Sequence, residues 1–207
     1  MFLHKVDLSI TFDRLRPLEF FKGKVTMRSS TLRLQLKPSD NESIFLPSGK
    51  EILVPKCKLL LNLWTGAPIQ NTYGGKAVIN FNGDPLFAEL VILKLLQQEE
   101  WSGVWVDNYR KRFRDGLPEK ENNSVTLPKK QAYIIDSIKN KNGTLKGCWD
   151  VFAWKNEKII FVESKRKSKD TIRTTQKKWA ETVLSMGYPV ETLLLVEWDL
   201  KQLDLES

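Results

Sequence analysis

Two short apolar runs, separated by four polar residues, constrain this chain more than any other feature. Asp150-Val151-Phe152-Ala153-Trp154 and Ile159-Ile160-Phe161-Val162-Glu163-Ser164-Lys165 are rich in β-branched and aromatic residues, and Lys155-Asn156-Glu157 between them reads as a turn. Pairing across that turn sets Trp154 against Lys158 or Ile159, and Asp150 against Val162 or Glu163. Successive strand side chains alternate faces, so Glu163 and Lys165 leave the strand on one side. Two carboxylates and an amine therefore converge at one end of an otherwise apolar hairpin.

Clustered carboxylates are what a hard divalent cation such as magnesium requires, and a neighbouring lysine suits the orientation or deprotonation of a water. The bland alternative is an exposed Glu163–Lys165 salt pair with Asp150 as a turn residue. Two further polar residues weigh against it. On a helical wheel for 85–98, Lys94, Gln97 and Gln98 share one sector, whereas Glu89 falls among Leu86, Leu93 and Leu96. A carboxylate there is costly to bury unless a cation or hydrogen bonds compensate. On a helix over 171–186, Gln176 projects with Ile172, Trp179 and Val183 rather than with Lys177 and Lys178.

The surrounding pattern divides the chain at about residue 78. Residues 1–78 lack a helical period; Thr31–Lys37 alternates like a half-buried strand, and Pro38-Ser39-Asp40-Asn41, Leu46–Lys50 and Tyr73-Gly74-Gly75 supply turns. This predicts a small, mostly antiparallel β region. From Asp84 a helix is expected over 85–98, with Asp84 as N-cap and Pro85 in its first position. A strand follows from Ser102 to Tyr109, then a polar connection over 110–128. A helix from Lys129 to about Lys139, the hairpin strands Trp149–Trp154 and Lys158–Lys165, a helix over 171–186 and a strand Glu191–Trp198 complete the order. Residues 79–207 thus read as an α/β domain, a mixed sheet flanked by helices.

The 207 residues carry a formal net charge of +8. Most of it lies in residues 1–78, with 12 Lys and Arg against 6 Asp and Glu. A basic surface suits a polyanion, because each neutralised phosphate releases condensed counterions. Cys57 and Cys148 stand far apart and His4 is the single histidine, which excludes a disulfide framework, a zinc finger and any histidine triad not built on His4. The two cysteines and most of the seven tryptophans, among them Trp105, Trp154, Trp179 and Trp198, read as core residues. No apolar run approaches the roughly 20 residues of a membrane span, and Met1–Asp7 lacks a signal pattern. The expectation is no membrane partner and an intracellular, cytoplasmic location, bacterial or phage.

Gly147-Cys148-Trp149-Asp150, then the hairpin ending in Phe161-Val162-Glu163-Ser164-Lys165, then Gln176-Lys177-Lys178-Trp179, resembles the PD-(D/E)xK nuclease superfamily, and within it the VRR-NUC (virus-type replication-repair nuclease) domain. The resemblance spans about residues 84–200. It implies a restriction-endonuclease-like fold, with Asp150, Glu163 and the Ser164 carbonyl holding Mg2+, for which Mn2+ substitutes. It further implies Lys165 as the residue positioning the attacking water, Glu89 as the acid of the leading helix and Gln176 as the motif glutamine. Trp149 replaces the family's proline, and Arg166-Lys167 stands where some members have Gly-Pro.

The implied activity is Mg2+-dependent hydrolysis of DNA phosphodiesters by a structure-selective endonuclease of repair, recombination or phage replication, with a homodimer compatible. Arg166, Lys167, Lys169, Arg173, Lys177 and Lys178, beside Lys165, are the expected substrate surface. A second cluster of Arg110, Lys111, Arg112 and Arg114, with Phe113 and Tyr109, mixes cations with aromatic planes suited to phosphates and unstacked bases. The rivals are a silent nucleic-acid-binding module with the same fold and a protein-interaction subunit.

Overall fold

The structure, a computed structural model, describes residues 36–70, 72–118 and 124–201. Most of the expected Thr31–Lys37 strand, and His4, lie outside them; Leu36 and Lys37 form a turn. The elements run β1 (Asp40–Phe45), β2 (Glu51–Leu63), β3 (Ile79–Phe81), β4 (Asp84–Leu86), α1 (Ala88–Gln97), β5 (Ser102–Asp107), β6 (Arg112–Arg114), α2 (Lys129–Asn142), β7 (Val151–Lys155), β8 (Lys158–Arg166), α3 (Thr174–Ser185) and β9 (Leu193–Leu200). All nine strands join one mixed sheet in the order β4-β3-β2-β9-β8-β7-β5-β6, with β1 added to β2. β2 and β8 run parallel to β9, and the other pairs are antiparallel.

The burial of each element follows from its sequence. Ile159 to Lys165 of β8 are all buried, which is the state of a central strand covered on both faces. Helix α1 buries Leu90, Val91, Ile92, Leu93 and Leu96 against Trp105, Val151, Ile160, Val162 and Val196 on one face. The opposite face packs Phe152, Phe161 and Leu195 against Ile135 and Ile138 of α2 and Trp179 and Val183 of α3. Gln131, Ile135, Ile138 and Asn142 are the buried positions of α2, one stripe of an amphipathic helix. A Cβ on Gly103 would come within 2.9 Å of both Leu93 and Ala153, so the closeness of α1 to β5 and β7 depends on that glycine. No helix of the described residues is long and apolar enough to cross a membrane.

Four expectations are corrected. Helix α1 begins at Ala88 with Phe87 as N-cap, because Asp84 and Pro85 instead pair as strand with Phe81 and Asn80. Helix α3 begins at Thr174, and β7 at Val151. The polar connection after Tyr109 contains β6, which pairs Arg114 with Trp105 and Arg112 with Asp107. Finally, the boundary at residue 78 does not separate two sheets. Lys56 to Leu61 of β2 pair with Leu195 to Leu200 of β9, which places part of the N-terminal β region inside the central sheet.

Candidate active site

The site is built where β7 begins and β8 ends. Val151 pairs with Val162 and Lys155 with Lys158, so the residue before β7, Asp150, comes alongside Glu163 and Ser164. The Ser164 N–H donates to Asp150 Oδ2 at 3.0 Å. Three anchors hold this approach. The Val106 N–H donates to the Asp150 carbonyl at 2.7 Å, Asn108 Nδ2 donates to the Cys148 carbonyl at 2.7 Å, and the buried Trp149 indole donates to the Gln176 carbonyl at 3.2 Å. Gly147 turns the chain at φ +90°, and a Cβ there would sit 2.2 Å from the Thr175 carbonyl oxygen. Only glycine meets both conditions at low cost. Trp149 thus fastens the Asp150 segment to the first turn of α3.

Glu163 and Lys165 do leave β8 together, and Lys165 Nζ lies 2.8 Å from Glu163 Oε1. The exposed-pair alternative fails here, since Glu163 is 1% exposed and Lys165 is buried. Gln176 completes the group: its Nε2 donates to Glu163 Oε1 at 2.6 Å, while its Oε1 accepts from Lys165 Nζ at 3.2 Å and from the Arg173 N–H at 2.9 Å. Glu163 Oε2 is buried and meets no hydrogen-bond donor among the described residues. Burial, with the Asp150 charge beside it, raises the Glu163 carboxyl well above its ordinary value despite Lys165. Burial and the charge of Glu89 push Asp150 up to about 6, opposed by Lys76, the Ser164 N–H and Lys165.

Glu89 lies buried on α1 and its charge acts on Asp150, so the leading helix does contribute to this group. Its partner was not foreseen. Lys76, in the turn after Tyr73-Gly74-Gly75, forms an ion pair with Glu89 Oε1 and stands over the rings of Phe87 and Trp105 at 5.8 and 5.5 Å. The one sequence signal was that Glu89 required a compensating cation. Nothing local in residues 72–78 marks which lysine supplies it.

The basic residues separate into two kinds. Lys167, Lys169, Arg173 and Lys178 are exposed around the end of β8 and the start of α3, with Lys177 half-buried among them. Arg166 lies over the Trp198 ring at 5.4 Å. Across the site, Lys111 and Tyr109 are exposed, Arg112 is half-buried and Arg110 stacks on Tyr73 at 4.5 Å. Arg114 is a correction: it is 0% exposed, and its Nε lies 2.9 Å from Asp107 Oδ2, so it braces the sheet instead of facing a ligand. Tyr73 donates to the same Asp107 oxygen at 2.7 Å, which ties the Lys76 turn to β5. Cys57 and Cys148 are buried thiols raised by desolvation and take no part.

Among the described residues no group of three or more His, Cys, Asp or Glu is arranged to hold a metal ion. The site brings together the carboxylates Asp150 and Glu163 with Lys165, and Lys76 acts on Asp150 from beside them. A groove of about 690 Å³ lies elsewhere, between β2, the β3–β4 turn and α1, and contains none of these carboxylates. In comparisons with protein-family models, curated proteins and solved structures, the chain has no match.

Proposed function

We propose that this protein is a metal-dependent nuclease, a structure-selective DNA endonuclease of the PD-(D/E)xK kind, acting in repair, recombination or phage replication. One observation carries the reading. A hairpin whose register converges Asp150 and Glu163 also buries Glu163 beside Lys165, keeps Asp150 half-buried, and leaves Glu163 Oε2 without a donor. Asp150, itself raised by burial and Glu89, raises Glu163 in turn, a repulsion that a divalent cation relieves, and their hard oxygens suit Mg2+ or Mn2+. Asp150, Glu163 and the Ser164 carbonyl would hold the ion. When bound, it supplies Lewis acidity toward a phosphate oxygen and lowers the pKa of water.

The chain's own residues supply the remainder. Lys165, pinned between Glu163 Oε1 and Gln176 Oε1, presents an ammonium at a fixed position to the attacking water and the phosphate. Water oxygen bonds to phosphorus as the bond to the leaving oxygen breaks, giving a phosphate and a hydroxyl end. The exposed cations of the β8–α3 connection and of the Arg110–Arg112 turn flank the site and would seat the backbone.

A silent DNA-binding module is the second reading. It is favoured by the saturation of Glu163 Oε1 by Lys165 and Gln176, which gives the carboxylate a structural occupation. Cleavage of labelled linear, single-stranded, flapped and four-way-junction DNA, with Mg2+, Mn2+ or chelator, separates the two. Metal-dependent products lost in Glu163→Ala and Lys165→Ala support the nuclease. Salt-sensitive binding without products from any substrate supports the silent module.

A further inference from the structure

Lys76 is the cation paired with Glu89 among the described residues, and its ammonium occupies the Glu89 oxygen that a metal there would need. Glu89 provides the paired carboxylate, with its side chain 11% exposed, the faces of Phe87 and Trp105 lie beside the ammonium, and the charges of Asp150 and Asp107 also act on it. Aromatic faces favour an ammonium over a hard divalent ion, whose ligands there would have to be the carboxylates that Lys76 now neutralises.

The turn that delivers Lys76 is fastened at both ends. Its N–H donates to the Thr72 carbonyl at 2.9 Å, and the Tyr73 hydroxyl bonds Asp107 at 2.7 Å. The Tyr73 ring meets Phe87 and Trp105 edge-on at 5.9 and 5.6 Å. The ammonium is thus held in place before any ligand arrives. The charge count points the same way. With all three carboxylates ionised, Glu89, Asp150 and Glu163 oppose Lys76 and Lys165, a net single negative charge that one divalent ion overcompensates and two would far exceed. The charge of Lys76 also reaches Asp150, the carboxylate between the two glutamates.

We propose that the Lys76 ammonium takes the place of a second metal ion at Glu89, so that the site binds one divalent cation. This deepens the nuclease reading and rests on it. A residue of the N-terminal β region thereby becomes part of the site, a fixed cation where other arrangements would need a second ion.

Calorimetric titration of Mn2+ into the metal-free full-length protein counts the ions without reference to cleavage. The wild type is expected to bind one ion and Lys76→Arg one. Lys76→Met and Lys76→Gln, which leave Glu89 uncompensated beside Asp150, are expected to bind two, and Lys76→Met/Glu89→Gln returns the count to one. Two ions in the wild type overturn the inference and leave the nuclease reading standing. One ion in folded Lys76→Met and Lys76→Gln also overturns it. A wild type that binds none overturns the nuclease reading and the inference with it. If both neutral variants fail to fold, the wild-type count decides alone.

Discussion

Gln176 Nε2 lies 2.6 Å from Glu163 Oε1, while the oxygen of the same amide accepts the Arg173 N–H that opens α3. The start of a surface helix and the placement of a buried carboxylate therefore depend on one side chain. Gln176→Leu removes both contacts and is expected to cost about 1–3 kcal/mol of stability, because it leaves charged and backbone partners unsatisfied. It should also lower cleavage at least tenfold by freeing Glu163 and Lys165. Chemical denaturation and single-turnover kinetics check the two parts.

Gly147 carries a stricter demand. Gly147→Ala combines a positive φ with a Cβ 2.2 Å from the Thr175 carbonyl oxygen, which belongs to the backbone and yields little. The expected loss is roughly 2 kcal/mol or more. A denaturation midpoint unchanged within about 0.5 kcal/mol would show that α3 and the Asp150 approach move apart freely.

The metal-free protein should become less stable as pH rises. Asp150 is raised from 3.8 to about 6, so the folded state binds its proton more tightly than the unfolded chain. That contribution is intact below pH 4 and is lost between pH 4 and 6; Glu163, raised by burial and by Asp150, adds to the decline in the same direction. A saturating divalent cation should flatten the slope at neutral pH. Melting curves from pH 4 to 8, with and without Mg2+, measure it.

Arg114 and the exposed lysines should behave oppositely. Arg114→Ala leaves Asp107 buried without its 2.9 Å partner and is expected to cost about 3–5 kcal/mol. Lys167→Ala and Lys169→Ala should leave stability within about 0.5 kcal/mol. Each should reduce the slope of DNA binding against salt by about one. Equal destabilisation by all three would refute the separation of bracing from ligand-facing cations.

The hairpin was legible because its period is local: a short turn between two apolar runs leaves only two registers, and the observed one pairs Trp154 with Ile159 and narrows the turn to Asn156-Glu157. Glu89 was legible as an exception on an apolar helix face, and Gln176 likewise. The start of α1 was not, because Pro85 satisfies the rule for a first helical residue while tertiary pairing with Asn80 takes it into β4. Arg114 read as solvent-facing because its neighbours are charged; its burial follows from Asp107, seven residues earlier, across the β5–β6 pair. Lys76 and the parallel pairing of β2 with β9 share one cause. Both join segments remote in sequence, and no local period records a long-range contact.

Asp150→Asn tests the account most directly, because stability and activity should move in opposite directions. Asparagine keeps an oxygen for the Ser164 N–H and removes a charge that Glu163 and Glu89 oppose. The metal-free variant should therefore be more stable than the wild type at pH 7, by about 1–2 kcal/mol after allowance for the opposing lysines. Its Mg2+-dependent cleavage of DNA should fall below detection. A variant that is destabilised and still cleaves would contradict the assignment of Asp150 as a carboxylate held under repulsion for a metal ion.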